Sequence, residues 1–586
     1  MNSIFLILCT LVIYFFGYRY FARYLQKKVF RIPRGEPNQS ASTVSIAKRL
    51  QNAASGRHEM LGFHFATIAS LSTISGAAVA VFWGWVPAYL WLLVGSSVAA
   101  GTFAVGSLWL RRRSLDNESD TGIGTGLIPA LVPSLHARLV PVFLLVISLV
   151  LVALVGLFVY FAAILLVSFP PVTWPILVTL ALVGLLSRVV SNQNAVIGSR
   201  LPSYLIAVVL ILLSIWISMG NTLGFSGSLN FDLSGHSLVS VDSIIVWGLV
   251  ILLLSVFVQR QPFEAWQKSF AVLAAILTAL MLIVFYIGLA VDHPPMSAPA
   301  FTNPASPGLL PWLFITFTSG AYAGFHFLVA YSVTAPKIGN ESDIVYIGFG
   351  AALLEGLFAL SAILVFGSIL GNKEVWLTLY QSWSALPDGT ALLGHYVNGI
   401  IHTGNQLAIG TDFMETFAAL VLLCLSLVTS IALMRVLRVY LQELGVHYHV
   451  GRLGAVKTSS WTAFGILILA LFLVSGSDSV RPLELLLGAT QFLLASIGLG
   501  LITQAMAKHD LPVMPIAVFF ALTVLVGLLG YGTLVITWYR DFSLAGFIAS
   551  MVLLGVQLSL VTQAGLVLWK KRSGPAPAVP PETPEA

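Results

Sequence analysis

Apolar runs long enough to cross a bilayer follow one another along almost the whole chain, and no other feature constrains its fold so tightly. A helix needs roughly 20 consecutive apolar residues to span the hydrocarbon core. Runs bounded by polar, Pro or Gly breaks fall at 2–22, 62–82, 86–110, 140–169, 172–187, 201–219, 243–258, 269–290, 309–333, 344–370, 413–434, 459–475, 484–506, 512–536 and 543–569. They predict an all-α polytopic membrane protein of about fifteen transmembrane helices. Composition agrees, with 58% hydrophobic and 9% charged residues, against about 25% charged in soluble domains. The two cysteines, Cys9 and Cys424, both fall in apolar runs, so neither a disulfide framework nor a Cys-rich metal site is indicated.

The direction of the spans follows from the basic residues, which gather in cytoplasmic loops. If alternate loops are cytoplasmic, starting with 23–61, one side receives 26 of the 29 Lys and Arg, and the other only Lys373, Arg481 and Arg540. Gaining or losing one span mid-chain would scramble that split. The expected topology has the N-terminus outside and the C-terminus in the cytoplasm. The net charge of +6 and pI near 9.2 then serve topology and anionic-lipid contact, and call for no nucleic-acid partner. The first span lacks a basic n-region and a small-residue cleavage site, so it reads as a retained helix.

The chain divides into an N-terminal transmembrane helix (1–22), a basic cytoplasmic loop (23–61), a core (62–506), a C-terminal transmembrane hairpin (512–569) and a disordered Pro-rich tail (573–586). Within the core, the half-apolar outer segment 371–412 is expected to lie against the membrane face or dip into it.

Ionisable residues inside spans are the default functional candidates. Glu355 lies near the middle of its span, where a carboxylate is costly unless it is protonated or paired. It is the candidate for proton coupling or gating, against the alternative of a purely structural hydrogen bond. The tetrapeptide GFHF occurs at Gly62–Phe65 and again at Gly324–Phe327. His64 heads a helix rich in Ser, Thr and Gly, including Ser72 and Gly76, for which a chain-internal, locally unwound position is expected. His326 follows Ser319, Gly320 and Gly324; Ser319 and His326, seven residues or two turns apart, are expected to share one helical face. The order of parts reverses with the direction of the span, which brings His64 and His326 to similar depths. Inverted repeats meeting at a midplane site are a recurring transporter plan. Gln491 and Gln504 add polar groups to the thirteenth span, and Asn192–Asn194 reads as a solvated turn.

Enzyme signatures are scarce. HExxH, an intramembrane GxGD aspartyl pair and a Walker A motif are missing, and the GxSG at Gly224–Gly227 falls in a polar outer loop. No enzyme activity, cofactor or metal is expected.

Ordered motifs give the chain a family likeness. Tyr18–Phe30 (YRYFARYLQKKVF), LGFHFATIA, LLPWLFITFTSGAYAGFHFLVAYSVTAPKIGNES, IGFGAALLEGLFAL, LAIGTDFMETFAAL, RVLRVYLQELG and LLLGATQFLLA follow in series from about residue 10 to about residue 510. The sequence resembles the carbon starvation protein (CstA) family of bacterial inner-membrane transporters. The resemblance implies a secondary transporter importing a small carbon source, a peptide or a pyruvate-like carboxylate, coupled to protons or another cation. It also implies the inverted-repeat core of the amino acid–polyamine–cation superfamily. On that reading His64, Ser72, Gly76, Ser319, Gly320, His326 and Gln491 line a substrate site and Glu355 couples it. The chain departs from the family where SLSTISGA replaces a Gly/Pro-rich stretch, where Ile431 takes an acidic position and where Thr490 replaces Asn. These losses favour a second reading, a non-transporting sensor or scaffold that retains the fold.

Overall fold

The computed structural model describes residues 2–33, 56–116, 127–132, 136–191, 200–220, 241–260, 266–302, 304, 307–370, 373–387, 389–475 and 480–573. Most of the basic loop, the Pro-rich tail, the Asn192–Asn194 turn and the GxSG stretch lie outside these residues. The described residues are helical almost throughout, and the one β-bridge among them joins Asn2 to Pro295.

The helices are α1 (Ser3–Val29), α2 (Arg57–Ile68), α3 (Leu71–Trp83), α4 (Trp85–Ser114), the short α5 (Leu127–Leu131), α6 (Val140–Ser168), α7 (Thr173–Ser191), α8 (Arg200–Gly220), α9 (Val241–Arg260) and α10 (Gln267–Asp292). The second half comprises α11 (Trp312–Thr316), α12 (Phe325–Val329), α13 (Glu341–Ile369), α14 (Lys373–Leu379), α15 (Gly389–Asn405), α16 (Thr411–His447), α17 (Val456–Ser475), α18 (Arg481–Lys508), α19 (Met514–Arg540) and α20 (Leu544–Ser573). Among the described residues ten helices are long and apolar enough to cross a membrane, or eleven if the bent pair α2–α3 is one span. Shorter apolar helices cover the expected spans at 172–187, 201–219 and 243–258, and the run at 309–333 is interrupted. The chain is a multi-pass membrane protein.

Local chemistry sets the ends. Pro141, Pro482 and Pro515 sit in the first turns of α6, α18 and α19, where the missing N–H costs nothing. α6 stops before the Pro170–Pro171 pair. α10 stops at His293, whose left-handed φ of 40° turns the chain ahead of Pro294 and Pro295. α16 runs well beyond the expected end at 434, because its last turns (RVLRVYLQELGVH) are a polar continuation of the same helix.

α16 is the central post, with its most apolar stretch wholly buried. It packs on α6, α10, α15 and α17, while α13 packs on α2, α3 and α4. α18 carries α19, and α19 carries α20. Large apolar side chains stand exposed on the perimeter, among them Phe15, Trp216, Leu473 and Tyr539. In a bilayer these would meet lipid rather than water. The outer segment forms α14 and α15, and α15 packs into the bundle against α16, α10 and α3.

Candidate functional site

Two spans break, and they break differently. Between α2 and α3 the helix stops for Ala69 and Ser70 alone and restarts bent by 56°. Ser70 is extended, its hydroxyl bonds Ser72 Oγ at 2.6 Å, and its carbonyl accepts the Thr73 N–H at 3.0 Å. Ser and Thr offer the backbone such local alternatives to the helical ladder. The second span is interrupted from Phe317 to Gly324. Gly320 sits there at φ +84°, where a Cβ would also press on Ala359 and Thr73.

Polar backbone inside a membrane must find partners within the protein. The Phe317 carbonyl accepts from Trp91 Nε1 at 2.6 Å, and the Phe325 N–H donates to Gln491 Oε1 at 2.9 Å. The Gly320 N–H donates to Glu355 Oε1 at 2.7 Å. That same oxygen accepts from the Thr73 hydroxyl at 3.2 Å and lies 3.4 Å from His326 Nε2. One carboxylate oxygen of α13, 1% exposed, therefore holds α3, the Gly320 turn and α12 together. The breaks also meet directly, Ser72 Oγ to Ser319 Oγ at 2.7 Å. Gly76 lets α3 close on the end of α11, since a Cβ there would stand 2.7 Å from the Thr316 carbonyl.

A cavity of about 730 Å³, counted to its open mouth, lies against these breaks. Its polar side is formed by Ser72, Ser75, Thr316, Thr318, Ser319 and Gln491. Leu154, Leu157, Phe158 and Phe161 of α6 form an apolar wall, at the i, i+3, i+4, i+7 spacing of one helical face. Trp383, Arg481 and Glu484 also line it, and Arg481 donates to the carbonyls of Trp383 (3.1 Å), Leu386 (2.8 Å) and Pro387.

The expected site residues thus separate. Ser72, Gly76, Ser319 and Gln491 line the cavity. Gly320, His326 and Glu355 form a buried cluster behind it, and Gly320 and His326 are not among the residues that line this cavity. The cause is the broken backbone: Ser319 and His326 belong to different pieces of chain and share no helical face. His64 also lies off the cavity; its Nδ1 pairs with Thr334 Oγ1 at 3.0 Å. Thr73, Ser75, Thr316, Thr318, Trp383, Arg481 and Glu484 were not singled out from sequence. For Thr73 the signal was the polar SLSTISGA stretch; Arg481 read only as one of three basic residues on the sparse side.

At another end of the bundle, charged groups clamp the helices. Lys268, 1% exposed, reaches Glu59 at 3.1 Å, and His58 Nδ1 meets the Tyr346 hydroxyl at 2.8 Å. Arg435 donates to Gln267 at 2.9 Å, and Arg112 to the Gly339 carbonyl at 3.3 Å.

The family described as Carbon starvation protein CstA matches residues 2–386. The chain belongs to that family. It is 26% identical over 385 residues to the pyruvate/proton symporter BtsT of Escherichia coli K12, an alignment covering 63% of this chain and 49% of that protein. It is 26% identical over 423 residues to the peptide transporter CstA of Mycobacterium tuberculosis H37Rv, covering 69% and 52%. With the peptide transporter CstA of Escherichia coli K12 the identity is 24% over 528 residues, covering 87% and 69%. The chain thus spans about half the length of the first two of these CstA-family relatives. The solved structure of Mhp1, a nucleobase-cation-symport-1 family transporter with bromovinylhydantoin bound, superposes with a TM-score of 0.46 at 11% identity, covering 89% of this chain and 94% of that one.

Proposed function

We propose that this CstA-family protein is a secondary transporter that imports a small carbon source, a short peptide or a pyruvate-like carboxylate, in symport with protons. One observation carries the reading: the Glu355 carboxylate joins both broken spans directly behind a cavity walled by those same spans. Protonating Glu355 would turn an acceptor of two hydrogen bonds into a weaker one and loosen Thr73 and Gly320 together. Occupancy of the cavity and the charge on Glu355 would thereby act on the same two breaks, which is what coupling requires.

The cavity suits a small organic acid or peptide. Ser72, in the first turn of α3, lines the cavity, and positive potential at that helix N-terminus would favour a carboxylate. The α6 wall would take the apolar part of the substrate, with Ser72, Ser319 and Gln491 orienting its polar groups. The names of the relatives, peptide transporter and pyruvate/proton symporter, agree with this class. An inverted-repeat core fits the packing as well: the helices following the two breaks pair as counterparts, α4 with α13 and α6 with α16. The bacterial inner membrane, fifteen spans and an outside N-terminus complete the proposal, along with anionic lipid at the basic end. The protein acts here as a carrier, with no bond made or broken. The cluster around Glu355 is fully built, which speaks against a scaffold that has lost its site.

The test is uptake of labelled pyruvate and dipeptides into proteoliposomes under an imposed pH gradient, comparing the wild type with Glu355→Gln. Gradient-driven accumulation that the variant loses is the expected result. Accumulation unchanged in the variant would remove Glu355 from coupling. No accumulation by folded wild type of any compound in the panel would overturn the transporter reading for these substrates.

A further inference from the structure

Two buried histidines have ring nitrogens that the cavity does not use. His326 is 3% exposed and His64 is fully buried. The Nε2 atoms of both rings lack a hydrogen-bond partner among the described residues, His326 having only the 3.4 Å approach to Glu355. The helices that carry the two rings, α12 and α2, pack against each other. A buried nitrogen left without a partner is a standing cost to the fold. Two such atoms in a row, beginning at the carboxylate that joins the breaks, are costly as mere packing. They are what a path for a mobile proton needs: groups able to receive a proton that are not already committed elsewhere.

We propose that His326 and His64 carry the proton that Glu355 exchanges, so that it leaves by two imidazoles rather than through the substrate cavity. The proposal rests on the proton-coupled reading above and assigns the residues that serve it. Protonated Glu355 gives its proton to His326 Nε2, leaving a carboxylate and an imidazolium. The imidazolium passes a proton to the His64 ring and returns to neutral. His64 releases its Nδ1 proton past the Thr334 hydroxyl, 3.0 Å away; Glu355 is left as the carboxylate, to be reprotonated in the next cycle, and each ring recovers its starting tautomer by turning over. Thr334 lies three residues before Lys337, at the end of the second broken span where the basic residues gather.

The other titratable groups facing this path are identifiable. Tyr14 of α1 stands near Glu355 with its hydroxyl on Ser96 Oγ at 2.6 Å. Beyond His64 along α2 come Glu59, paired with Lys268 of α10, and His58, paired with Tyr346 of α13. Beside Thr334 stand Tyr331, with the Arg111 guanidinium 5.3 Å over its ring, and Glu443 of α16, which accepts the Ile128 N–H at 3.0 Å.

The conservative variants are His326→Gln, whose amide nitrogen can still reach Glu355, and His64→Asn, whose amide can still bond Thr334; neither side chain titrates. In proteoliposomes, gradient-driven accumulation of labelled dipeptide or pyruvate is measured beside exchange of the same compound at equal pH, which needs no net proton movement. The ratio of accumulation to exchange should fall by roughly 100-fold in each variant, the scale of losing a positioned proton-transfer group. Accumulation within a few-fold of wild type in either variant would overturn the relay. So would equal loss of both activities, which would assign the histidine to substrate binding or structure. A second measurement needs no substrate: nitrogen NMR titration of ¹⁵N-histidine-labelled full-length protein, with the two variants assigning the resonances. Glu355→Gln should move the titrations of both His64 and His326. Unchanged titrations would overturn the relay even if transport stood, and moved titrations without transport would support the path while the carrier reading failed.

Discussion

The tetrapeptide Gly-Phe-His-Phe lies at Gly62–Phe65 and again at Gly324–Phe327, in two different kinds of backbone. The first copy is inside a regular helix, and the interruption comes after it, two residues long. The second copy stands at the restart of a helix, and the interruption precedes it, running from Phe317 to Gly324. The first break presents side-chain hydroxyls, from Ser70, Ser72 and Thr73; the second presents a backbone N–H, from Gly320. Their histidines differ accordingly: His64 finds a threonine and His326 a carboxylate. The same four residues therefore do different work because the chain around them stops at different places. Glu355 reads both breaks at once by bonding a side chain of one and the backbone of the other.

The sharpest way to break the comparison is at the glycines. A Cβ on Gly324 would run into the Gln491 carbonyl and stand 2.7 Å from both the Ala495 nitrogen and Leu494 Cβ. These are mainly backbone atoms of α18, which cannot move aside without shifting the helix. Gly324→Ala should destabilise the protein by about 1–3 kcal/mol, the usual range for overpacking. Thermal unfolding in detergent, followed by thiol-dye labelling of the fully buried Cys424, would show a clearly lowered midpoint. A midpoint equal to wild type would mean that α12 and α18 are not packed backbone to backbone.

Next in size is the contact between the breaks. Ser72→Ala, Ser319→Ala and the double variant form a cycle around one 2.7 Å hydrogen bond. The coupling should be about 0.5–1.5 kcal/mol in unfolding free energy. Zero coupling would show that the two breaks meet only through Glu355, and would move the weight of their association to α13.

The contrast also shows what the sequence could convey. Apolar length made the helices legible, since burial and lipid exposure both demand it, and clustered Ser, Thr and Gly marked 62–82 as a span to doubt. Glu355 was legible because a carboxylate in mid-span needs a reason. The face shared by Ser319 and His326 was an inference from helical period, and it failed because the helix stops at Thr316 and restarts only at Phe325. Thr73 was passed over because one threonine among several hydroxyls carries no sign of which will face a carboxylate. Arg481 and Trp383 were hidden for another reason: they reach the cavity only because separate segments fold over it.

The smallest expected effect has the opposite sign and sharpens the comparison most. Gly62 is the counterpart of Gly324, but it lies within α2, and a Cβ there would meet Ala275 Cβ at 3.4 Å, an ordinary contact. Alanine is the better helix former by about 1 kcal/mol. Gly62→Ala should therefore leave the unfolding midpoint unchanged or raise it slightly, where Gly324→Ala lowers it. Identical substitutions in identical tetrapeptides would then differ in sign, because only the second glycine is held against another backbone. If Gly62→Ala were as damaging as Gly324→Ala, α2 and α10 would pack more closely than their side chains show, and the asymmetry between the two copies would fall.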